Sequence, residues 1–327
     1  MDHKTWMIII NPSAGGGRTA LLWPRISNFF IKAGLQFECV FTTHKFHAVS
    51  LTVEAIHDGA RNIIVIGGDG TIHEVVNGIF FQKDVPTREI TLGLIPIGTG
   101  NDLIHTYDIP ADYMEAAKTL LKGRSVITDV GKVTFQDYGV ERTRFFANVA
   151  GFGLDAAVIR HYERSIEEKR RRGEGRYLRS LLRQFLLYRA KNLRVLVDDR
   201  PIYDGPVLTG DVGIGKYIGS GMIALPLAVA DDGLFDVTLV GNMSKLAIGL
   251  RIKDFVKGNV YAFKESIHAR GSKVEVYPNS TNGGYLETDG EPMGTPPFVF
   301  TILPGSLNLI VGESFVASTG TATSAES

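Results

Sequence analysis

The chain has 327 residues, 44% of them hydrophobic, and its 35 Lys and Arg balance 35 Asp and Glu to a formal net charge of zero. This composition is typical of an ordinary globular protein, and the neutral balance argues against a generic nucleic-acid binder. The length exceeds the size at which one core keeps growing, so two domains are expected. Cys39 is the single cysteine, which excludes an internal disulfide and a cysteine-based metal cluster.

The first 125 residues alternate short apolar runs with helical patterns. The pattern predicts strands at 7–10, 36–42, 62–66 and 91–95, and helices after residue 18, at 48–57 and at 71–80. Strands that alternate with helices indicate crossover units and a mainly parallel sheet. The sequence therefore predicts an N-terminal α/β domain.

Three of these strands are followed by glycine-rich loops, at residues 11–18, 67–71 and 98–102. Ligands of open α/β sheets bind beyond the carboxyl ends of the strands, so we expect the loops to converge on one ligand. Glycine lets the backbone approach a phosphate, and a helix start presents N–H groups to it. Asp69 on the second loop would repel that phosphate unless a cation or a proton transfer involves it. The combination predicts phosphoryl-transfer chemistry.

Two features of the second loop have a structural interpretation as well. Thr71 and Glu74 stand three residues apart, so they could form a capping box that only starts the helix. His73 is expected to face solvent from the first helical turn. His44, His47 and His73 have no recognisable metal-ligand spacing, so no histidine metal site is predicted.

After about residue 125 the chain becomes rich in short β segments separated by turns. The predicted strands are 126–133, 143–149, 193–197, 207–209, 235–240, 273–277 and 298–303. They indicate an all-β second domain, a β-sandwich, interrupted by a helical insertion at about 154–190. Residues 318–327 are Ser, Thr, Ala and Gly with one Glu and are expected to be disordered.

The segment 160–194 is basic, with twelve Lys or Arg against four Glu. Apolar side chains recur there at helical spacing, with arginines among them: Leu178, Leu182, Phe185, Leu186, Arg176, Arg179, Arg183 and Arg189. A basic amphipathic helix can lie on an anionic bilayer, which predicts a peripheral membrane contact, although a solvated helix face is the alternative. Without a secretory signal or a spanning apolar stretch, the sequence predicts a cytoplasmic protein.

Taken together, the motifs resemble the diacylglycerol kinase catalytic-domain family, which includes bacterial soluble lipid kinases and eukaryotic sphingosine and ceramide kinases. Six elements carry the resemblance along nearly the whole chain: Asn-Pro at 11–12 with Gly-Gly-Gly at 15–17, Gly-Gly-Asp-Gly-Thr at 67–71, Gly-Thr-Gly-Asn-Asp at 98–102, Asn-Val-Ala-Gly-Phe-Gly at 148–153, Asp-Asp-Gly-Leu-Phe-Asp at 231–236 and Thr-Asp-Gly-Glu at 288–291. The element at 67–71 alone is shared with NAD kinases and, loosely, with phosphofructokinases.

The resemblance implies two domains with different ligands. An ATP-binding α/β domain, like that of NAD kinases and phosphofructokinases, would cover 1–125. A returning segment at about 304–317 would join it, with residues 307–311 packed on it. A β-sandwich domain for the lipid substrate would cover 126–303. Edge strands of the β domain could pair two copies as a homodimer.

The nucleotide would be ATP with Mg²⁺, held by backbone groups of the glycine loops, because the chain has no Gly-x-x-x-x-Gly-Lys-Ser/Thr motif of a P-loop enzyme. Thr42, residues 68–74 and Thr99 match the family's nucleotide contacts; the alternative for Thr42 is a residue that caps a turn at a strand end. The candidates are Asn11, Thr42, Gly67, Gly68, Asp69, Gly70, Thr71, Ile72, His73, Glu74, Gly98, Thr99, Gly100 and Asn101.

Two carboxylates compete for the role of proton acceptor. Glu291 matches the acceptor assigned in the bacterial enzymes, and Asp69 matches an acid assigned in part of the family as base or magnesium contact. Asp289 could hold a water or a metal ion beside Glu291, but Asp-Gly is also a common hairpin turn. We favour Glu291 as the acceptor and Asp69 as a magnesium or proton-network partner.

A structural magnesium site is implied by the match of Val229, Asp232 and Leu234. Asp232 would give a carboxylate and the other two residues backbone carbonyls, which are oxygen ligands of the kind that hard cations take. A plain Asp-Gly turn before the strand at 235–240 is the alternative.

The sequence thus predicts an ATP- and Mg²⁺-dependent lipid kinase that converts diacylglycerol to phosphatidic acid. NAD kinase is an alternative that shares 67–71 but does not predict 98–101 together with 289–291. A kinase for another lipid, such as a sphingoid base or phosphatidylglycerol, would carry the same motifs, and so would a non-catalytic lipid or nucleotide sensor. The acids Asp69, Asp289 and Glu291 argue against the sensor.

Overall fold

The structure is a computed structural model that describes residues 5–169, 187–219, 221–244, 247, 254, 257–280 and 283–318, without the side chains of 165–169. The described residues fall into two compact units. Unit 1 lies within 1–130, 230–232 and 304–327, and unit 2 lies within 131–229 and 233–303.

Unit 1 alternates strands and helices. Its elements are β1 Trp6–Ile10, α1 Ala14–Lys32, β2 Phe37–Phe41, α2 His47–His57, β3 Asn62–Gly67, α3 Asp69–Phe81, β4 Thr91–Pro96, α4 Asp102–Thr106 and α5 Tyr113–Lys122. Two long strands belong partly to each unit, β5 Ser125–Asp137 and β17 Thr295–Ile310.

The sheet of unit 1 has the strand order β2-β1-β3-β4-β17, and each of these neighbouring pairs is parallel. Its central strands are buried on both faces; the neighbouring residues Ile64 and Val65 of β3, whose side chains point to opposite faces, are both fully buried. Continuous apolar runs are typical of parallel strands covered by helices, so the sequence pattern marks them clearly. The predicted α/β domain is confirmed. The chain returns to this sheet where Asn308 and Leu309 pair with Thr91 and Leu92.

Helices α2 and α3 pack closely at Gly78. A Cβ at this position would lie 2.5 Å from the Cβ of Thr52 and 2.8 Å from the carbonyl oxygen of Val49. Gly78→Ala is therefore expected to lower the free energy of unfolding by about 1–3 kcal/mol, because the two helix backbones must separate. Equilibrium denaturation measures this, and Ser50→Ala on the exposed part of α2 is the control. Equal stability of the two variants would contradict the close packing.

Unit 2 is mainly antiparallel. Its further elements are β6 Val140–Phe146, β7 Val149–Gly153, α6 Leu154–Lys169, β8 Lys191–Val197, β9 Arg200–Gly213, β10 Tyr217–Ile218, β11 Met222–Ile223, β12 Phe235–Gly241, β13 Ser266–Gly271, β14 Lys273–Pro278, β15 Leu286–Thr288 and β16 Glu291–Pro292. The main path of the sheet is β16-β15-β7-β9-β8-β14-β17, with β12 paired to β9 and to β13. Its core contains six phenylalanines packed among valines: Phe135, Phe146, Phe152, Phe235, Phe298 and Phe300. The predicted β-rich second domain is confirmed.

Two strand predictions in unit 2 are wrong in detail. The single strand predicted at 143–149 is divided between β6 and β7, because the N–H groups of Ala147 and Asn148 donate to the carboxylate of Asp289. The short strand predicted at 207–209 is the middle of β9, whose first half carries exposed polar residues that hide the β pattern.

The helical insertion predicted at 154–190 is described only in part. Helix α6 covers its first half, and residues 188–190 are not helical. The apolar and basic residues between 176 and 186 lie outside the described residues, as does the tail at 319–327. Ser318 is described, and its N–H donates to Asp231 Oδ2 at 2.8 Å. None of the described helices is long and apolar enough to cross a bilayer.

Candidate functional site

The second glycine loop leads from β3 directly into α3. Gly68 is the N-cap in an extended conformation, and as a glycine it has no side chain to cap the first amides of the helix. The N–H of Ile97 donates to the carbonyl of Gly67 at 2.7 Å, which ties the end of β4 to the end of β3. A helix start without a side-chain cap is suited to an anionic ligand.

The second and third loops touch at glycines. A Cβ at Gly98 would lie 2.7 Å from the Cα of Gly68 and 2.5 Å from Oδ1 of Asn101. A Cβ at Gly68 would lie 3.0 Å from the Cα of Gly98. Contacts this short leave no room for side chains, so both positions require glycine. The structure thus brings residues 67–71 and 98–102 together.

The Asp69 carboxylate is fixed against the third loop. Its Oδ2 accepts a hydrogen bond from the N–H of Asn101 at 2.5 Å. Asn101 adopts a left-handed conformation with φ of 53°, and a Cβ at Gly100 would lie 2.9 Å from the same Asp69 oxygen. Thr99 is exposed at the loop surface. Asp69 therefore has one defined position beside both glycine loops.

The first loop joins the other two through Asn11. Its Nδ2 donates to Thr71 Oγ1 at 2.9 Å, and its Oδ1 accepts from the N–H of Ser13 at 3.0 Å. Gly15 has φ of 60°, and a Cβ there would lie 3.1 Å from Cγ2 of Ile97. All three loops therefore meet at the carboxyl ends of β1, β3 and β4. Thr42 is buried just after β2, and its N–H donates to the carbonyl of Ile10 at 2.8 Å.

The capping-box prediction for Thr71 and Glu74 is wrong. Helix α3 begins at Asp69, so Thr71 lies inside its first turn. Glu74 instead accepts hydrogen bonds from the N–H groups of Phe46 at 2.8 Å and Ala48 at 3.0 Å. It therefore caps α2 and holds the loop that follows Thr42.

The solvent-facing prediction for His73 is also wrong. His73 is 2% exposed, and its Nε2 lies 3.2 Å from Nδ2 of Asn77. Ile72 is buried as well. Most of α3 is covered, so His73 and Ile72 contribute to packing in the structure.

Glu74→Ala is expected to lower the free energy of unfolding by about 1–3 kcal/mol, because two amides at the start of α2 lose their acceptor. Chemical denaturation provides the measurement. The matched control is Glu54→Ala, an exposed glutamate of α2, which should change stability by less than about 0.5 kcal/mol. If the two alanine variants were equally stable, Glu74 would not be the cap.

In unit 2, Glu291 lies on a tight hairpin. Thr288 pairs with Glu291 across β15 and β16, and the turn between them consists of Asp289 and Gly290, with φ of 48° and 82°. Both oxygens of Asp289 accept backbone hydrogen bonds, from Ala147 at 3.0 Å and Asn148 at 3.1 Å. Asp289 thus anchors the turn, as the hairpin interpretation expects.

Three acids near this hairpin were not found by sequence reasoning: Asp211 and Glu287, which are buried, and Asp155, which is half-buried with its Oδ2 shielded from solvent. Burial raises the pKa of Asp155 to about 7. Burial, followed by the nearby charge of Asp155, raises the pKa of Asp211 and of Glu287 well above their ordinary values. The sequence does contain one indication, because Asp211 is an acid within the buried and mostly apolar second half of β9.

The predicted metal ligands Val229, Asp232 and Leu234 are half-buried. Gly233 between them has φ of 77°, so the segment does turn here. One carboxylate and two backbone carbonyls suit a hard cation in kind. Among the residues that the structure describes, no three His, Cys, Asp or Glu side chains form a metal-binding group.

Two family models match this chain. Residues 5–133 match the diacylglycerol kinase catalytic domain, and residues 148–311 match the YegS C-terminal NAD kinase beta sandwich-like domain. The chain therefore belongs to the diacylglycerol kinase catalytic-domain family and is a lipid kinase by class.

Individual relatives are similar over nearly their full length. The chain is 28% identical over 308 residues to a diacylglycerol kinase of Staphylococcus carnosus (strain TM300), covering 91% of this chain and 92% of that protein. It is 29% identical over 332 residues to "Putative lipid kinase YtlR" of Bacillus subtilis (strain 168), covering 94% and 99%. A crystal structure of "a putative diacylglycerol kinase" from Bacillus anthracis str. Sterne has the same fold, with a TM-score of 0.74, 23% identity and coverage of 97% and 100%.

Proposed function

We propose that this protein transfers the γ-phosphate of ATP to the hydroxyl of diacylglycerol and releases ADP and phosphatidic acid. The observation that carries the proposal is the junction of three glycine loops around Asp69, at the carboxyl edge of the parallel sheet of a lipid kinase. In the transfer, a bond forms between the lipid oxygen and the γ-phosphorus. The bond from that phosphorus to the bridging oxygen of ADP breaks.

Unit 1 would bind the nucleotide. The amides of the glycine loops and the start of α3 would hold the phosphates, which need donors but little covalent assistance. Thr42, Thr99 and Asn101 border these loops and would add contacts. Mg²⁺, when bound, neutralises phosphate charge, and Asp69 is the carboxylate that would hold it.

Unit 2 would supply the proton acceptor. Glu291 would take the proton of the lipid hydroxyl as the new bond to phosphorus forms. The anchoring of Asp289 by two backbone amides supports an auxiliary role for that residue, since it fixes the turn that precedes Glu291.

Three further features are proposed from the sequence resemblance and the charge pattern. Val229, Asp232 and Leu234 would hold a structural Mg²⁺, and Asp232→Asn should then abolish the stabilisation that added Mg²⁺ gives in thermal unfolding.

The basic segment 160–194 would bring a cytoplasmic enzyme to an anionic membrane. Co-sedimentation with anionic and neutral vesicles tests that contact, and sedimentation velocity tests the homodimer.

NAD kinase is a second candidate, because the family model matched by residues 148–311 is described as NAD kinase beta sandwich-like. An acceptor panel separates the candidates. Purified protein is incubated with γ-labelled ATP, Mg²⁺ and, in separate reactions, diacylglycerol, sphingosine, phosphatidylglycerol or NAD. Labelled phosphatidic acid supports the proposal. Labelled NADP supports the second candidate, label in another lipid corrects the acceptor, and transfer to none of them contradicts both.

A further inference from the structure

Three acidic residues of unit 2 surround one glycine. In the sheet, Gly151 of β7 pairs with Asp211 of β9 on one side and with Glu287 of β15 on the other. A Cβ at Gly151 would lie 1.7 Å from Asp155 Oδ2 and 2.7 Å from Glu287 Oε1. The missing side chain therefore lets the carboxyl of Asp155, from the first turn of α6, enter between its two acidic neighbours.

These acids have few hydrogen-bond donors. Oδ1 of Asp155 accepts from the N–H of Ala156 at 2.7 Å and from the hydroxyl of Thr209 at 3.1 Å. Oδ2 of Asp155 and Oδ1 of Asp211 are buried, and none of the residues that the structure describes donates a hydrogen bond to them. Asp211 is 6% exposed and Glu287 is 5% exposed.

Within the described part of the chain, none of the groups that act on these acids is a cation, and no metal-binding group includes them. Burying adjacent carboxylates without a cation is too costly, so such groups retain a proton. A proton between Asp155 and Asp211 converts one of them into a donor for the other. This also agrees with the raised pKa values of both groups.

The cluster is connected to the hairpin that carries Glu291. Oε2 of Glu287 accepts from the N–H of Gly290 at 2.7 Å, directly before Glu291. Helix α6, which supplies Asp155, packs against β16. A change in the charge of the cluster therefore acts on the turn and on the strand of Glu291.

We propose that Asp155 and Asp211 share a proton and, together with Glu287, position the Glu291 hairpin for phosphoryl transfer. This rests on the proposed role of Glu291 as proton acceptor. Loss of the shared proton places adjacent negative charges under the hairpin and displaces it. Besides one another, the titratable groups that act on these acids are the phenol of Tyr188 near Asp155, the phenol of Tyr261 near Asp211, and Asp289 on the turn near Glu287. Strand β16, which packs against α6, carries Glu291.

The test is the pH profile of kcat, measured with saturating ATP and lipid in the wild type and in Asp211→Asn. An asparagine amide donates to Asp155 without a shared proton. The decrease of kcat at alkaline pH should therefore occur at a pH at least about one unit higher in the variant than in the wild type, with the KM for ATP unchanged. Asp155→Asn is a second variant with the same expected shift, in case the first one folds poorly.

The control is Asp204→Asn, which removes an exposed carboxylate of the same strand β9 and should keep the wild-type profile. A folded Asp211→Asn with the wild-type alkaline limb, or with the same loss of kcat at every pH, would overturn the positioning role. If the wild type phosphorylates no lipid at any pH, the proposed function fails. In that case the shared proton is still tested by the pH dependence of thermal unfolding, compared between the wild type and Asp211→Asn. The same pH dependence in both proteins would overturn the shared proton.

Discussion

Glu291→Gln is expected to lower kcat for lipid phosphorylation by about 10²–10⁴-fold, the usual contribution of a positioned general base. Glutamine keeps the size of the side chain and its place on β16 but cannot take the hydroxyl proton. ATP binding should not change, since the glycine loops belong to unit 1. Steady-state kinetics at saturating substrate, with nucleotide binding measured by calorimetry, separates the two effects.

The matched control for this variant is Glu141→Gln, an exposed glutamate on β6 of the same unit, which should retain full activity. Asp69→Asn provides the comparison between the two candidate acceptors. If Glu291→Gln stays within about tenfold of the wild type while Asp69→Asn is inactive, Asp69 and not Glu291 accepts the proton.

Asp155→Asn is expected to stabilise the protein at alkaline pH relative to acidic pH. The folded-state pKa of Asp155 is about 7, raised by burial from 3.8. Below the unfolded-state pKa the carboxyl is protonated in both states and does not lower the stability. As the pH rises from the unfolded-state pKa to the folded-state pKa, the raised pKa lowers the free energy of unfolding by an increasing amount. Asparagine carries no such cost. The change in unfolding free energy caused by the substitution should therefore differ between about pH 4 and pH 8 by up to roughly 4 kcal/mol.

Urea denaturation at both pH values measures this difference. Oδ2 of Asp155 is shielded from solvent, which is why the effect of burial should be large. Asp204→Asn, which removes an exposed carboxylate, should change stability by similar amounts at the two pH values. If the change in unfolding free energy caused by Asp155→Asn did not vary with pH, burial would not raise the pKa of this carboxyl.

The α/β unit was predictable from the sequence because its central parallel strands are buried on both faces. The apolar run that predicts a strand at 62–66 is observed as β3, extended by one glycine. Unit 2 was predicted less closely, since its antiparallel strands carry polar residues on exposed positions. The interruption at Ala147 and Asn148 depends on Asp289, which lies more than 140 residues away along the chain.

The glycine loops were predictable because each motif is local: a strand end, a tight turn and a helix start. Glu74 shows the limit of local spacing, since its partners Phe46 and Ala48 precede it by 28 and 26 residues. The acid cluster depends on the register of three strands, which places Asp211 and Glu287 on either side of Gly151. The spacing of residues along the sequence does not reveal how β7 pairs with β9 and β15.

The most direct test of the central claim follows the γ-phosphoryl group itself. ATP with ¹⁸O at the three non-bridging γ-oxygens is incubated with the protein, Mg²⁺ and diacylglycerol in mixed vesicles, and the lipids are analysed by mass spectrometry. Direct transfer of the γ-phosphoryl group should yield phosphatidic acid that carries all three labelled oxygens, with the remaining phosphate oxygen contributed by the lipid hydroxyl. Unlabelled phosphatidic acid, or no phosphorylated lipid while ATP remains bound, would contradict it.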